Sequence, residues 1–256
     1  MLANYHTHTF RCRHAVGEER AYVENAIARG LKIFGFSDHA PQYFGIDNYY
    51  THMRMFPHEF GQYCATVRKL QEDYKDSLQI PLGLEVEYYP AIFQELLFRS
   101  RDQGVEYMLL GQHWVGNEYG EPYVGRPTED EALLSRYCRQ AMQALDTGLF
   151  TYLAHPDVIH FVGAPAVYRR HMRALLHQAN QTQTPVELNL LGIRYGKHYP
   201  NPQLLELMAE ENCPVILGMD AHMPDDVSDL QYEQKALELV EQYGLNLIHT
   251  VPLKKI

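Results

Sequence analysis

His6 and His8, in the opening stretch MLANYHTHTF, stand two residues apart in the first apolar run of the chain. In an extended strand, residues i and i+2 face the same side, so the two imidazoles can grip one cation together. An isolated pair of this kind also occurs on solvated strands, and the other apolar segments decide its meaning. Asp38 and His39 end a second such segment, and Glu85 and Glu87 stand in a third. His113 ends a fourth, His155 lies at the end of a fifth, and Asp220 and His222 close a seventh. Imidazole and carboxylate together suit borderline divalent ions such as zinc, manganese or iron, whereas an all-oxygen shell suits magnesium or calcium. These donors exceed the roughly four to six ligands of a single ion and would fill two or three sites. Clustered cations repel, so such a centre needs a bridging carboxylate and a bridging hydroxide. Held close, the ions acidify water and clamp a phosphoryl group.

The elements that must position these donors follow from periodicity. Short apolar segments at 2–8, 32–39, 80–88, 106–113, 150–157, 185–191 and 214–222 read as buried strands, with a weaker eighth at 245–251. Helical patterns at 17–30, 57–74, 127–145, 167–181 and 201–212 alternate with them. Arg29 and Gly30 suit a helix C-terminus, Thr128 with Glu131 a capping box, and Pro202 a first helical turn. Alternation of this kind predicts an α/β chain with a parallel sheet, and about seven units favour a barrel over an open doubly wound sheet. In a parallel barrel the C-terminal ends of all strands share one face, so donors from residue 6 to residue 222 would meet in one mouth. Chance would scatter histidines and carboxylates equally over helices and strand starts.

The 256 residues show no linker, repeat or low-complexity stretch, which predicts a single domain over 1–256. Hydrophobic residues make up 46% of the chain, enough for a sizeable core. No apolar run approaches the ~18 residues of a membrane span, and the N-terminus lacks a basic-then-apolar signal, so a cytoplasmic protein with no membrane partner is expected. Cys12, Cys64, Cys138 and Cys213 lie far apart without a C-x-x-C pair and read as reduced thiols. The formal charge of −10 argues against a nucleic-acid partner.

The motifs C-x-H-A-x-G-E (12–18), F-S-D-H-A-P (36–41), G-L-E-V-E-Y (83–88), A-H-P-D (154–157) and D-A-H (220–222), after the initial H-x-H, resemble the polymerase-and-histidinol-phosphatase (PHP) superfamily. The first two are most similar to its histidinol-phosphatase branch. The resemblance implies a distorted (β/α)7 TIM-like barrel, the PHP fold, with three divalent ions, zinc, manganese or iron. It places a first ion on His6, His8, Glu85 and Asp220. A second takes Glu85 as a bridge with His113 and His155, and a third takes His14, His39 and His222. Met223 after D-A-H departs from the serine more usual there.

In this branch the loop after the sixth strand, here LLGIRYGKHYPNP (190–202), carries basic residues that meet phosphate, which points to Arg194 and Lys197. Tyr195 and His198 lie in the same loop, and Arg126 is a further cation. His160 is expected at the phosphate, Glu87 at the substrate's ammonium and imidazole or behind a ligand, and Asp157 behind His155 or capping the next turn. Asp38 is expected to orient its neighbour or to protonate the leaving alcohol. The aromatic segment 42–56 would form a lid or pocket wall.

The implied activity is a metal-dependent phosphomonoesterase acting on a small phosphorylated substrate, L-histidinol phosphate first among them. A hydroxide bridging two ions would attack phosphorus in line with the leaving alkoxide, while Arg194 and Lys197 stabilise charge. No Cys-x5-Arg loop suggests a cysteine phosphatase. Alternatives within the family are a phosphodiesterase, a nucleotide phosphatase and a protein-tyrosine phosphatase. Outside enzymology, the alternative is a metal-binding interaction module.

Overall fold

The computed structural model describes residues 1–46, 49 and 51–256. Its strands are β1 (Ala3–Asn4), β2 (Ile33–Phe34), β3 (Gly83–Val86), β4 (Tyr107–Leu110), β5 (Phe150–Leu153), β6 (Val186–Asn189), β7 (Pro214–Gly218) and β8 (Asn246–Leu247). All the ladders are parallel: β1 pairs with β2, and β3 to β8 pair in sequence order. Isolated bridges join the two sheets on both sides. Ile33, Phe36 and His39 meet Gln79, Leu82 and Glu85, and Thr7 meets Ala221 beyond β7. The pairings therefore run round a distorted ring from β1 through β7 and back to β1. β8 attaches beside the start of β7, where Pro214 faces Asn246.

The helices between the strands are α1 (Glu19–Arg29), α2 (Phe60–Tyr74), α3 (Phe93–Asp102), α4 (Glu131–Asp146), α5 (Pro165–Gln181), α6 (Leu190–Arg194), α7 (Pro202–Glu210), α8 (Pro224–Ser228) and α9 (Gln231–Tyr243). α1 ends at Gly30, whose left-handed backbone (φ 86°) lets its N–H reach back to the carbonyls of Ala26 and Ile27. α7 starts as expected, with Asn201 accepting from Gln203 N and Pro202 in the first turn. α4 differs from expectation. Asp130, not Thr128, is its cap and accepts from Ala132 N at 2.8 Å, while Thr128 Oγ1 accepts from Asp130 N one step earlier. Helices α3, α6, α8 and α9 lie where the sequence predicts none; α3 and α9 are amphipathic, burying Phe93, Leu96 and Leu97 in one case and Ala236 in the other.

The observed strands have two to five residues, shorter than the apolar segments that suggest them. Beyond β4, β5 and β7 the chain brings His113, His155 and Asp220 into the mouth, while Glu85 enters it from within β3. Below that mouth the ring is filled by a separate apolar cluster of Ala3, Tyr5, Tyr107, Leu109, Tyr152, Ala154, Ile216 and Val251. Tyr107 ties the irregular corner together, its hydroxyl donating to the carbonyls of Tyr5 (2.7 Å) and Phe36 (3.2 Å). Its ring lies where Gly35 and Gly83 have no Cβ; a methyl group at either would overlap it. Among the described residues no helix is long and apolar enough to cross a membrane.

Gly83→Ala is expected to displace Tyr107 and lower stability by about 1–3 kcal/mol, the usual range for overpacking a filled core. Urea denaturation of the two proteins checks this, and an unchanged midpoint would show that the corner has room.

Candidate metal centre

The donors sit at or just beyond the ladder ends. Thr7 bridges Ala221, with His8 N donating to the Ala221 carbonyl at 2.9 Å, so residues 6–8 stay extended and both imidazoles face inward. Glu85 lies within β3, and His39 pairs beside it. His113, His155 and Asp220 follow the ends of β4, β5 and β7. His155 and Asp220 have left-handed backbone, at φ 26° and 48°, where the chain turns into the site. Except for His14 and His222 at the edge, these side chains are buried.

Glu85 is the hub. His6 Nε2 and His8 Nε2 stand 3.6 and 3.5 Å from its Oε2, and 3.5 and 3.1 Å from Asp220 Oδ1. Ligands bound to one ion at ~2.1 Å are separated by ~3.0–3.4 Å along the edges of an octahedron or tetrahedron. The four residues thus already have the spacing of one coordination shell. On the other oxygen, Glu85 Oε1 is 2.7 Å from His155 Nε2 and 3.8 Å from His113 Nε2. His14, His39 and His222 form a third group whose ring nitrogens lie within 4.8 Å of one another.

The rings are oriented from behind. His6 Nδ1 faces Glu187 Oε1 at 2.7 Å, and His113 Nδ1 faces Glu87 Oε1 at 2.9 Å. His14 Nδ1 faces the Cys12 carbonyl (2.8 Å) and His222 Nδ1 that of Asp220 (3.0 Å). An acceptor opposite Nδ1 places the proton there and leaves Nε2 bare, the arrangement by which outer contacts prepare a metal ligand. Among the described residues, His6 Nε2, both nitrogens of His8, Glu85 Oε2, Asp220 Oδ1 and His222 Nε2 are buried with no hydrogen-bond partner. Buried polar atoms are rarely left so. The donor set, its spacing and these orphaned atoms all fit divalent cations.

Without ions the cluster is electrostatically divided. Burial opposes ionisation of Glu85, yet His39, His113 and His6 hold its carboxyl well below the usual range. Burial likewise opposes the charge on His8, but Asp220 and Asp38 raise its pKa to about 9. His39 is pushed the other way, to about 4, by burial and by its cationic neighbours despite Glu85.

Two glycines make room for the carboxylates. A Cβ at Gly111 would fall on the carboxylate of Glu85, and one at Gly218 on that of Glu187. Glu187, which no sequence feature marked, holds His6 and also accepts from His155 N at 2.9 Å. Asn189 donates to Glu187 and to Asp220, at 2.9 and 3.1 Å.

A cavity of about 360 Å³ opens over the donors other than His6 and His8, lined also by Met53, Tyr123, Leu191, Tyr195, Lys197 and Tyr199. Lys197 and Tyr195 therefore stand where the sequence places them. Met53 makes the 42–56 segment part of the wall, although its Asp47, Asn48 and Tyr50 lie outside the described residues.

Arg194, His160 and Arg126 lie outside the cavity lining, and Glu87 and Asp38 take the supporting one of their two expected roles. Arg194 turns away from the cavity: its Nε is 3.3 Å from Asp226 Oδ1 and its guanidinium lies over the Tyr232 ring. His160 is stacked on His198 with centroids 4.0 Å apart, outside the cavity lining. Glu87 is buried between Arg54 and His113 and does not reach the cavity, so it orients a ring. Asp38 is fully buried and does not line the cavity; it accepts from Thr9 and from His39 N and stands 3.5 Å from His8 Nδ1, a positioning contact and not a proton donor to substrate. Arg126 is exposed and away from the lining. Asp157 does not cap the turn that follows it: it accepts from Asn201 N at 2.6 Å, at the start of α7, and burial raises its carboxyl to about 6.

Residues 4–190 match the PHP domain family. The chain belongs to that family. Within this PHP family the likeness is to the histidinol-phosphatase branch, and the chemistry is that of a metal-dependent phosphatase. A probable histidinol-phosphatase of Deinococcus radiodurans is 30% identical, over 88% of this chain and 88% of that protein. The histidinol-phosphatase of Bacillus subtilis is 23% identical, over 87% of this chain and 94% of its own length. The crystal structure of histidinol phosphate phosphatase from Lactococcus lactis, complexed with zinc, L-histidinol and phosphate, superposes with a TM-score of 0.74 at 19% identity. That likeness covers 99% of this PHP chain and 98% of the other, and it shows the fold.

Gly111→Ala is expected to push Glu85 aside and to weaken metal binding about tenfold or more, as judged by metal content after gel filtration. Metal uptake near neutral pH should also release protons, because His8 carries one below about 9. Apparent affinity should therefore fall as pH drops from 9. Calorimetric titrations at pH 7 in buffers of different ionisation heat should disagree, and identical heats would contradict the displaced proton.

Proposed function

We propose that this PHP protein hydrolyses a small phosphate monoester, with L-histidinol phosphate as the leading substrate, using three divalent ions. The observation that carries the reading is the spacing of His6, His8, Glu85 and Asp220 around one shell, with Glu85's second oxygen turned to His113 and His155. Those residues would hold two ions through the shared carboxylate, and His14, His39 and His222 a third. Bound there, divalent ions supply a Lewis acid for phosphate oxygens and bring the pKa of water toward neutrality.

The chain's own groups complete the site. Glu187 and Glu87 hold His6 and His113 from behind, and the Asp38 carboxylate stands 3.5 Å behind His8 Nδ1. Lys197 supplies a positive charge for phosphate at the cavity wall. Met53, Tyr123, Tyr195 and Tyr199 enclose the leaving group and exclude bulk water, and the tyrosine faces suit a planar ring such as imidazole. A volume near 360 Å³ is enough for a small phosphorylated molecule. The 30% identical relative's name and the ligands of the Lactococcus lactis enzyme support the choice of substrate. We further propose that residues 1–256 act as one domain; its continuous core, which includes Tyr22, Leu110 and Leu245, supports this.

Metal-loaded protein should give its highest kcat/KM with L-histidinol phosphate in a panel with p-nitrophenyl phosphate, bis-p-nitrophenyl phosphate, AMP and a phosphotyrosine peptide. A diester turned over as efficiently as every monoester would refute the substrate class. Lys197→Ala should raise KM about tenfold with kcat little changed. A large kcat loss at constant KM would contradict a ground-state phosphate contact.

A further inference from the structure

The segment after β2 delivers two neighbouring side chains with different surroundings. Met53 lines the cavity, while Arg54 turns inward and is only 1% exposed. Each nitrogen of the Arg54 guanidinium donates a hydrogen bond. Nη1 donates to Glu87 Oε2 at 2.7 Å and to the Ala40 carbonyl at 3.2 Å. Nε donates to Glu118 Oε2 at 2.8 Å, with Nη2 joining it on the same oxygen. Tyr49 donates to the other oxygen of Glu118, at 3.1 Å. Glu87 divides its two oxygens, one to Arg54 and the other to His113 Nδ1 at 2.9 Å. A continuous relay thus runs Glu118–Arg54–Glu87–His113, and the bare Nε2 of His113 ends it 3.8 Å from Glu85.

We infer that Arg54 is a positioning residue for the metal centre, fixing the ring plane of His113 through Glu87 while pinning the Met53 wall of the cavity. A planar guanidinium holds a carboxylate in one orientation, which a point charge does less well. With Oε2 held, the Glu87 carboxylate cannot swing, and Oε1 presents to His113 from a single direction. The same side chain fixes the backbone that carries Met53. Arg54 therefore couples a wall that touches substrate to a residue that holds an ion. The inference rests on His113 being a metal ligand.

The test compares wild type with Arg54→Met, Arg54→Lys and Glu118→Gln, each as the full chain. Zinc per chain is counted by elemental analysis, zinc affinity is measured against a chromophoric chelator, and melting temperature and KM are recorded alongside. Arg54→Met should weaken the most loosely held ion about 10- to 100-fold, the effect typical of losing an outer contact to a ligand. Its KM should rise as the Met53 wall loosens. Arg54→Lys should lie between it and wild type. Glu118→Gln leaves the Arg54 bond to Glu87 in place, so it should weaken zinc binding less than Arg54→Met does.

A folded Arg54→Met protein with wild-type zinc affinity overturns the inference, as does a Glu118→Gln protein that loses zinc equally. If Arg54→Met does not fold, Arg54→Lys must still bind zinc more weakly than Glu118→Gln, and the reverse order overturns the inference. Wild type that binds no zinc would instead sink the metal-centre reading itself.

Discussion

One buried carboxylate, that of Glu85, organises this protein. Ring nitrogens from the segments that follow β1, β2, β4 and β5 all approach its two oxygens, at 2.7 to 3.8 Å. Such a concentration of polar groups in a dry interior is stable only when each is matched by opposite charge, a hydrogen bond or a cation. Much of the architecture serves that condition. Glycine replaces a side chain at 111 and 218 so that carboxylates can lie across a neighbouring strand. Carbonyls and acids stand behind the imidazoles to set their protons. Beyond β4, β5 and β7 the chain turns donors inward.

The barrel separates two demands that conflict. Its lower half is apolar and aromatic, with Tyr5, Tyr107 and Tyr152 packed edge to face, and this supplies rigidity. Its upper half is polar and held by exact hydrogen bonding. Tyr152 lies at the boundary, and Glu187 near its buried side chain adds to the effect of burial in holding its proton. The pairings are least regular between β2 and β3 and between β1 and β7, and these flank the strands that supply His6, His8, His39 and Glu85.

How far the sequence could be read depended on whether a residue's role was set by its own strand or by a distant partner. Strand-end donors were legible because residue type, i+2 spacing and parallel topology act together: His6 with His8, and Asp220 with His222, announce themselves. Glu187 did not, since a single acid in PVELNLL looks like any strand residue; its only signal was Asn189 two positions on, facing the same side. Arg54 lies in a segment without periodicity, so its burial was invisible. Arg194 misled because nearness in sequence to a site says nothing about direction, and Asp226 with Tyr232 claim it. α3 and α9 were missed because charged residues dilute their apolar faces.

The left-handed backbone at His155 and Asp220 bears on how such a centre can change over time. Most side chains resist that conformation, and asparagine, aspartate and histidine tolerate it best among those bearing a Cβ. Glutamate or cysteine at either position would meet steric resistance before any question of affinity for an ion arose. His6, His8 and Glu85 stand on extended chain and face no such filter. Drift in ion preference should thus run through the extended positions, while 155 and 220 stay within a narrow alphabet.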